Sequence, residues 1–163
     1  VSPESQEQTA EAARAASALT ELVEVLWGRG REVASSPVSP SQLKVLFVLE
    51  EEDGVNLRTV TERLGSTPPS VSRLCDRLQA VGFVSRTASP NSRRELRLWL
   101  NESGRSFLRD LRARREAELH EVIARMPPRK RAMLLEGLVS FSEAAGRSDT
   151  RSGGSERPNF RTA

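Results

Sequence analysis

The 163-residue sequence predicts a mostly α-helical chain with one small antiparallel sheet of two to three strands. Three observations predict it. Apolar residues recur at three-and-four spacing through most of the chain, the run 95–100 switches to strict alternation, and capping residues with proline or glycine punctuate the sequence at helix-length intervals.

The first helix is expected over about 5–33, where Leu19, Leu22, Val23, Leu26 and Trp27 form one apolar face that needs a partner. Ser36-Pro37 ends it. Ser39-Pro40-Ser41-Gln42 starts the next, with Ser39 as cap, Pro40 at the first helical position and Gln42 completing a capping box. That helix runs to about Glu51, and Leu43, Val45, Leu46, Phe47, Val48 and Leu49 are dense enough to imply burial on more than one side. After the charged turn Glu51-Glu52-Asp53-Gly54, Asn56 caps a short helix over Leu57–Leu64 that stops at Gly65.

Gly65-Ser66-Thr67-Pro68-Pro69 then reads as a sharp turn with a capping hydroxyl and prolines at a new helix start. A short helix, a turn of three to four residues and a second helix constitute helix-turn-helix spacing. Val71, Leu74, Cys75 and Leu78 line one side of the second helix; Ser70, Ser72, Arg73, Asp76 and Arg77 line the other. Gly82 stops it. Residues 83–88, a turn at Ser89-Pro90-Asn91-Ser92 and the alternating Leu96, Leu98 and Leu100 make a ribbon, or wing, with basic residues near its tip.

Asn101 is positioned to cap a helix to about 126, whose middle, 112–118, is nearly all charged. Pro127-Pro128 breaks it. A last helix over about 129–145 carries Met133, Leu134, Leu135, Leu138, Val139 and Phe141, more apolar surface than an isolated chain covers. From Gly146 onward the composition favours disorder.

Composition narrows the function. Hydrophobic residues reach 37%, below the ~45–50% of average domains, a figure that also counts glycine, so the core is thin and burial shared between subunits is expected. The net charge is only +3, but it is unevenly spread: residues 56–100 hold eight Arg against Glu62, Asp76 and Glu95, whereas residues 1–55 hold four basic and ten acidic groups. An anionic partner is expected at the central segment. One Cys (Cys75) and one His (His120) argue against a disulfide framework, a Cys/His zinc site and most His-dependent catalysis. No catalytic constellation, cofactor site or metal site is read from the sequence, so no enzyme is expected. Without an apolar run near ~18 residues or a leader-like start, neither membrane span nor signal peptide is expected, and the location inferred is cytoplasmic.

The order of these pieces resembles one known family. The Leu57–Leu64 helix, Ser70-Val71-Ser72-Arg73-Leu74, Leu78-Gln79-Ala80-Val81-Gly82-Phe83-Val84-Ser85-Arg86, Ser89-Pro90-Asn91-Ser92-Arg93-Arg94 and Leu98-Trp99-Leu100-Asn101-Glu102-Ser103-Gly104 are similar to the multiple-antibiotic-resistance regulator (MarR) family. The resemblance runs from about Ser39 to the end of the last helix. It implies a winged helix-turn-helix over 38–100, flanked by dimerisation helices in 1–37 and 101–146, with a tail at 147–163. It further implies a homodimeric transcription regulator that usually represses and is released by a small-molecule effector or an oxidant. The family's wing usually carries an acid two residues before the Arg that enters the minor groove. Here those positions are Ser92 and Arg94, and Ser89 also stands where Asp is common, which implies a looser wing with Glu95 as a poorer substitute.

The expected partner is double-stranded DNA bearing a palindromic operator. Pro68, Pro69, Ser70, Ser72 and Arg73 fall in the first turns of the helix that enters the major groove. Arg73 suits a bidentate bond to guanine. Thr67, Arg77 and Arg86 are placed for phosphates, and Arg93 and Arg94 for a narrow minor groove. Cys75 falls on the apolar face, where packing is favoured over a redox role. Trp27 and Phe47 are the residues assigned to an effector pocket, with ordinary packing as the alternative. A competing reading is a winged-helix protein-interaction module without DNA binding, supported by the weakened wing and opposed by the cationic segment.

Overall fold

The structure is a computed structural model that describes residues 2–29, 37–89 and 92–152; the side chains of 28–29, 89, 92–95 and 147–152 lie outside the described set. The helices are α1 (Pro3–Arg29), α2 (Pro40–Glu51), α3 (Leu57–Leu64), α4 (Pro68–Ala80), α5 (Glu102–Ala124) and α6 (Pro128–Ser152). The strands are β1 (Val55–Asn56), β2 (Val84–Ser89) and β3 (Ser92–Leu100). The chain divides into two units, Val1–Leu111 and Arg112–Ala163, with the boundary inside α5.

In the first unit, local signals set the helix starts. The Ser39 hydroxyl accepts the Gln42 N–H at 3.3 Å while Gln42 Oε1 accepts the Ser39 N–H at 2.8 Å, closing the expected capping box with Pro40 at the helix start. Asn56 Oδ1 accepts the Thr59 N–H at 2.9 Å, and Gly65 ends α3 at φ 56°, a left-handed conformation that costs glycine least. The start of α4 differs from expectation. Thr67 occupies the cap position but makes no side-chain cap bond, and the Pro68 and Pro69 that follow it carry no N–H of their own.

The sheet order is β1-β3-β2, antiparallel throughout. Val84 pairs with Leu100 and Arg86 with Leu98, so Val84, Leu98 and Leu100 face the interior together. β1 adds only Val55 opposite Leu98 and Asn56 opposite Arg97, too short a strand to show alternation in sequence. The other sheet face carries Trp99, whose Nε1 donates to the Thr87 hydroxyl at 2.7 Å.

Fully buried Val45, Leu46 and Leu49 from α2 meet Val60 of α3, Val71, Cys75 and Leu78 of α4, the sheet residues Val84 and Leu98, and Leu108 of α5. Each such aliphatic side chain stabilises the fold by roughly 1.5–3 kcal/mol relative to exposure. The base of the ribbon is held to α5 by Phe83 and Phe107, whose rings stack with centroids 5.1 Å apart. The Asn101 side-chain amide donates to the Gly82 carbonyl at 3.1 Å, tying the start of α5 to the turn after α4. Ion pairs fasten the periphery: Arg63 joins Glu51 and Glu52 at 3.1 and 3.0 Å, and Arg105 joins Asp53 at 2.6 Å.

Within the second unit, α6 continues past Gly146, where the sequence predicts an end, to Ser152. An exposed helix glycine costs only about 1 kcal/mol relative to alanine and keeps its N–H, so it weakens the helix without stopping it. Met133, Leu135, Leu138, Val139 and Phe141 are all exposed on α6, with Leu135 and Phe141 at 65%. The expected tail beyond Ser152 lies outside the described residues.

Candidate nucleic-acid interface

The helix that sequence spacing marks as the reader, α4, is anchored from behind. Val71, Cys75 and Leu78 are completely buried, and at 100° per residue this places Pro69, Arg73, Asp76 and Arg77 on the opposite side. Thr67, Pro68, Pro69, Ser70, Arg73 and Arg77 are all exposed, and Ser72 is half-buried on the flank toward the ribbon. The structure therefore brings the α4 candidates together on one exposed surface. Among the described residues, neither Arg73 nor Arg77 takes part in an ion pair.

Arg86 is placed differently. It lies two residues after buried Val84 and so on the inner face of β2, where its guanidinium bonds Asp76 Oδ1 at 2.7 Å and the Ser72 carbonyl at 3.3 Å. Its side chain is only 23% exposed. The group expected at a phosphate is thus occupied in bracing the ribbon against α4. The parity with Val84 was the available signal. Arg93 and Arg94 lie on β3 near the tip, but their side chains are outside the described residues.

Two concavities flank α4. On the ribbon side, Asn56, Leu57, Arg58, Ser72, Arg86, Leu96 and Leu98 enclose about 460 Å³. Its cations are compensated, Arg58 by Glu62 at 2.8 Å and Arg86 by Asp76. On the α2 side, Ser41, Lys44, Leu64, Ser66, Ser70, Arg73, Leu74 and Arg77 enclose about 340 Å³. Sequence reading overlooked Ser41, Lys44 and Ser66, because no local pattern announces that α2 converges on α4.

Cys75 is fully buried, and that burial pushes its thiol above the usual range, partly offset by Arg86. The thiol is packed rather than poised for reaction. Phe47 is half-buried against the core, Trp27 is half-buried on α1, and neither lines either concavity. Among the described residues no group of three or more His, Cys, Asp or Glu is placed to hold a metal, and no helix is long and apolar enough to cross a membrane.

Residues 36–95 match the model of the MarR family. The chain is 33% identical over 100 residues to the HTH-type transcriptional regulator Mb0904 of Mycobacterium bovis, covering 61% of this chain and 70% of that one. The chain belongs to the MarR family. It is a MarR transcription regulator with a winged-helix fold, and its relatives hold a regulatory rather than a catalytic role. A more distant relative, the transcriptional repressor MprA of Escherichia coli, is 27% identical over 100 residues, covering 60% of this MarR chain and 57% of MprA. Among solved structures, RV1404 of Mycobacterium tuberculosis superposes with a TM-score of 0.70 at 28% identity, over 82% of this chain and 92% of that one. Streptococcus pneumoniae FabT, crystallised in complex with DNA, shares the fold with a TM-score of 0.61 at 22% identity, over 82% of this chain and 96% of FabT.

Proposed function

We propose that this MarR regulator acts as a homodimeric, sequence-specific DNA-binding repressor in the cytoplasm, released from a palindromic operator by a small-molecule effector. The observation that carries the DNA-binding part is the exposed face of α4, whose Pro69, Ser70, Arg73 and Arg77 stand over buried Val71, Cys75 and Leu78. In this reading Pro68, Pro69, Ser70, Ser72 and Arg73 approach base edges, and Thr67 and Arg77 hold phosphates. Arg86 positions the ribbon, and Arg93 and Arg94 follow the minor groove. Each neutralised phosphate contributes ~0.9 to the slope of log affinity against log salt.

Residues 38–100 form the DNA-binding domain in this reading, and 1–37 with 101–146 form the dimerisation elements. Exposed Leu19, Leu22 and Val25 on α1, and the apolar row of α6, are the surfaces a second copy covers. A dimer places two α4 helices about 34 Å apart, one turn of DNA, and an effector works by shifting that separation. Trp27 and Phe47 remain the residues assigned to the effector. Repression is supported by the repressor MprA among the relatives. Selection from a random duplex pool tests the reading: enrichment of a palindrome is the expected result, and no enrichment at low salt overturns it. Sedimentation of the free protein reads the oligomeric state.

A further inference from the structure

We propose that α2 supplies another contact element of the duplex-binding surface: Lys44 and Ser41, with Ser66 and Arg77, seat a backbone phosphodiester beside the groove that α4 enters. The inference rests on the DNA-binding reading above and assigns a ligand to the α2 side of the concavity, Ser41, Lys44 and Ser66, which that reading leaves unused. Three cations and three hydroxyls converge on its roughly 340 Å³, and none of its eight lining residues is acidic. No ion pair among the described residues involves Lys44, Arg73 or Arg77. The ribbon-side concavity makes the contrast, since both of its arginines already hold carboxylates.

The charge of α2 is polarised in the same sense. Lys44 is the single cation between Arg31 and Arg58, set toward the start of a helix whose end is Glu50-Glu51-Glu52. Those last two carboxylates are drawn to Arg63, leaving the Lys44 end without a neutralising partner in the cluster. Leu64 and Leu74, both half-buried, supply apolar walls next to which a charge pair is less screened than in open water. A phosphodiester fits this set better than a base edge does, because ammonium and hydroxyl groups position a backbone without reading sequence. Ser70, Arg73 and Arg77 belong to both the concavity and the exposed face of α4, so a duplex on that face brings its flanking phosphates to Lys44.

The test is fluorescence anisotropy of the full chain with selected and random duplexes across a salt series. Lys44→Gln should lower the salt slope by about 0.9 per protomer, weaken both duplexes by the same factor and leave the melting temperature unchanged, while Lys44→Arg restores the slope. An unaltered slope in Lys44→Gln, with the wild type binding normally, overturns this site alone. So does a loss confined to the selected sequence, which would make Lys44 a base reader. Displacement of duplex by inorganic phosphate at constant ionic strength, seen for the wild type and absent in Lys44→Gln, would overturn it in favour of a free-anion site. Failure of the wild type to bind any duplex instead removes the DNA-binding reading, and this site with it.

Discussion

The Arg86 guanidinium reaches from β2 to within 2.7 Å of Asp76 Oδ1 on α4, and its second nitrogen bonds the Ser72 carbonyl at 3.3 Å. Ribbon and reading helix are thereby joined by one side chain. Arg86→Ala should cost about 1 kcal/mol of stability, at the upper end for a partly exposed pair. It should also weaken duplex binding without lowering the salt slope, since no phosphate contact is lost. Thermal melts and anisotropy across a salt series check both; a slope reduced by about 0.9 per protomer would place Arg86 on the backbone after all.

Arg73 and Arg77 share the exposed face of α4 yet should fail differently. Loss of a bidentate guanine contact in Arg73→Ala removes about 1–3 kcal/mol of discrimination, leaving binding to random duplex less affected. Arg77→Ala should weaken selected and random duplexes alike and lower the salt slope. Equal losses on both duplexes for both variants would reverse this division of roles.

Gly104 sits where α5 crosses the base of the ribbon, and a Cβ there would lie 2.7 Å from the Phe83 carbonyl oxygen and 2.6 Å from Leu100 Cδ1. A side chain can turn aside more readily than that backbone oxygen can. Gly104→Ala should therefore destabilise the protein by about 1–3 kcal/mol through overpacking, read as a lower midpoint in urea. Gly54→Ala meets two obstacles, φ 72° and the Trp99 ring at 2.7 Å, and should be at least as costly.

Burial pushes the Cys75 thiol up, so the folded state holds its proton more tightly than the unfolded chain does. The associated stability is complete below the ordinary thiol range near pH ~8.5. It declines as pH rises from there toward the folded value, because the unfolded chain ionises first. Wild type should lose melting temperature more steeply than Cys75→Ala above that range, and the folded protein should resist thiol reagents at neutral pH. Parallel curves, or rapid labelling of the folded protein, would contradict this.

Phe141 is 65% exposed on α6 and lies in the row assigned to a second copy. If it is an aromatic anchor of about 2 kcal/mol, Phe141→Glu should weaken self-association roughly thirtyfold. Sedimentation at several concentrations measures the shift, and an unchanged dimer would remove Phe141 from the interface.

Much of this was legible where short-range chemistry decides the outcome. Asn56 and Gly65 bracket α3 to the residue, and Ser39 with Gln42 sets the start of α2, because a cap involves only neighbours a few positions apart. The start of α4 shows the limit: a hydroxyl before a helix usually caps, but the Thr67 side chain accepts no bond from the turn that follows it. The expected sheet of two to three strands has its third in β1, whose position is not legible because two residues carry no period and the strand exists only by pairing with Leu98 and Arg97 far along the chain. The inward turn of Arg86 was written in its parity with Val84, but its positive charge suggested solvent. The meeting of Lys44 with Arg73 and Arg77 had no signature in sequence, being produced by the packing of α2 on α4.

The proline pair that opens α4 also decides what kind of grip this protein can have. Most helix starts offer an anion their bare amide hydrogens, a contact that no side-chain replacement removes. With Pro68 and Pro69 at the first two positions, two of those donors do not exist, and Ser70 supplies the first N–H of the helix. Most of the holding power must then come from guanidinium, ammonium and hydroxyl groups, each of which one codon change can add or delete. Affinity for a polyanion is thereby adjustable in small steps, while the architecture that presents it stays fixed.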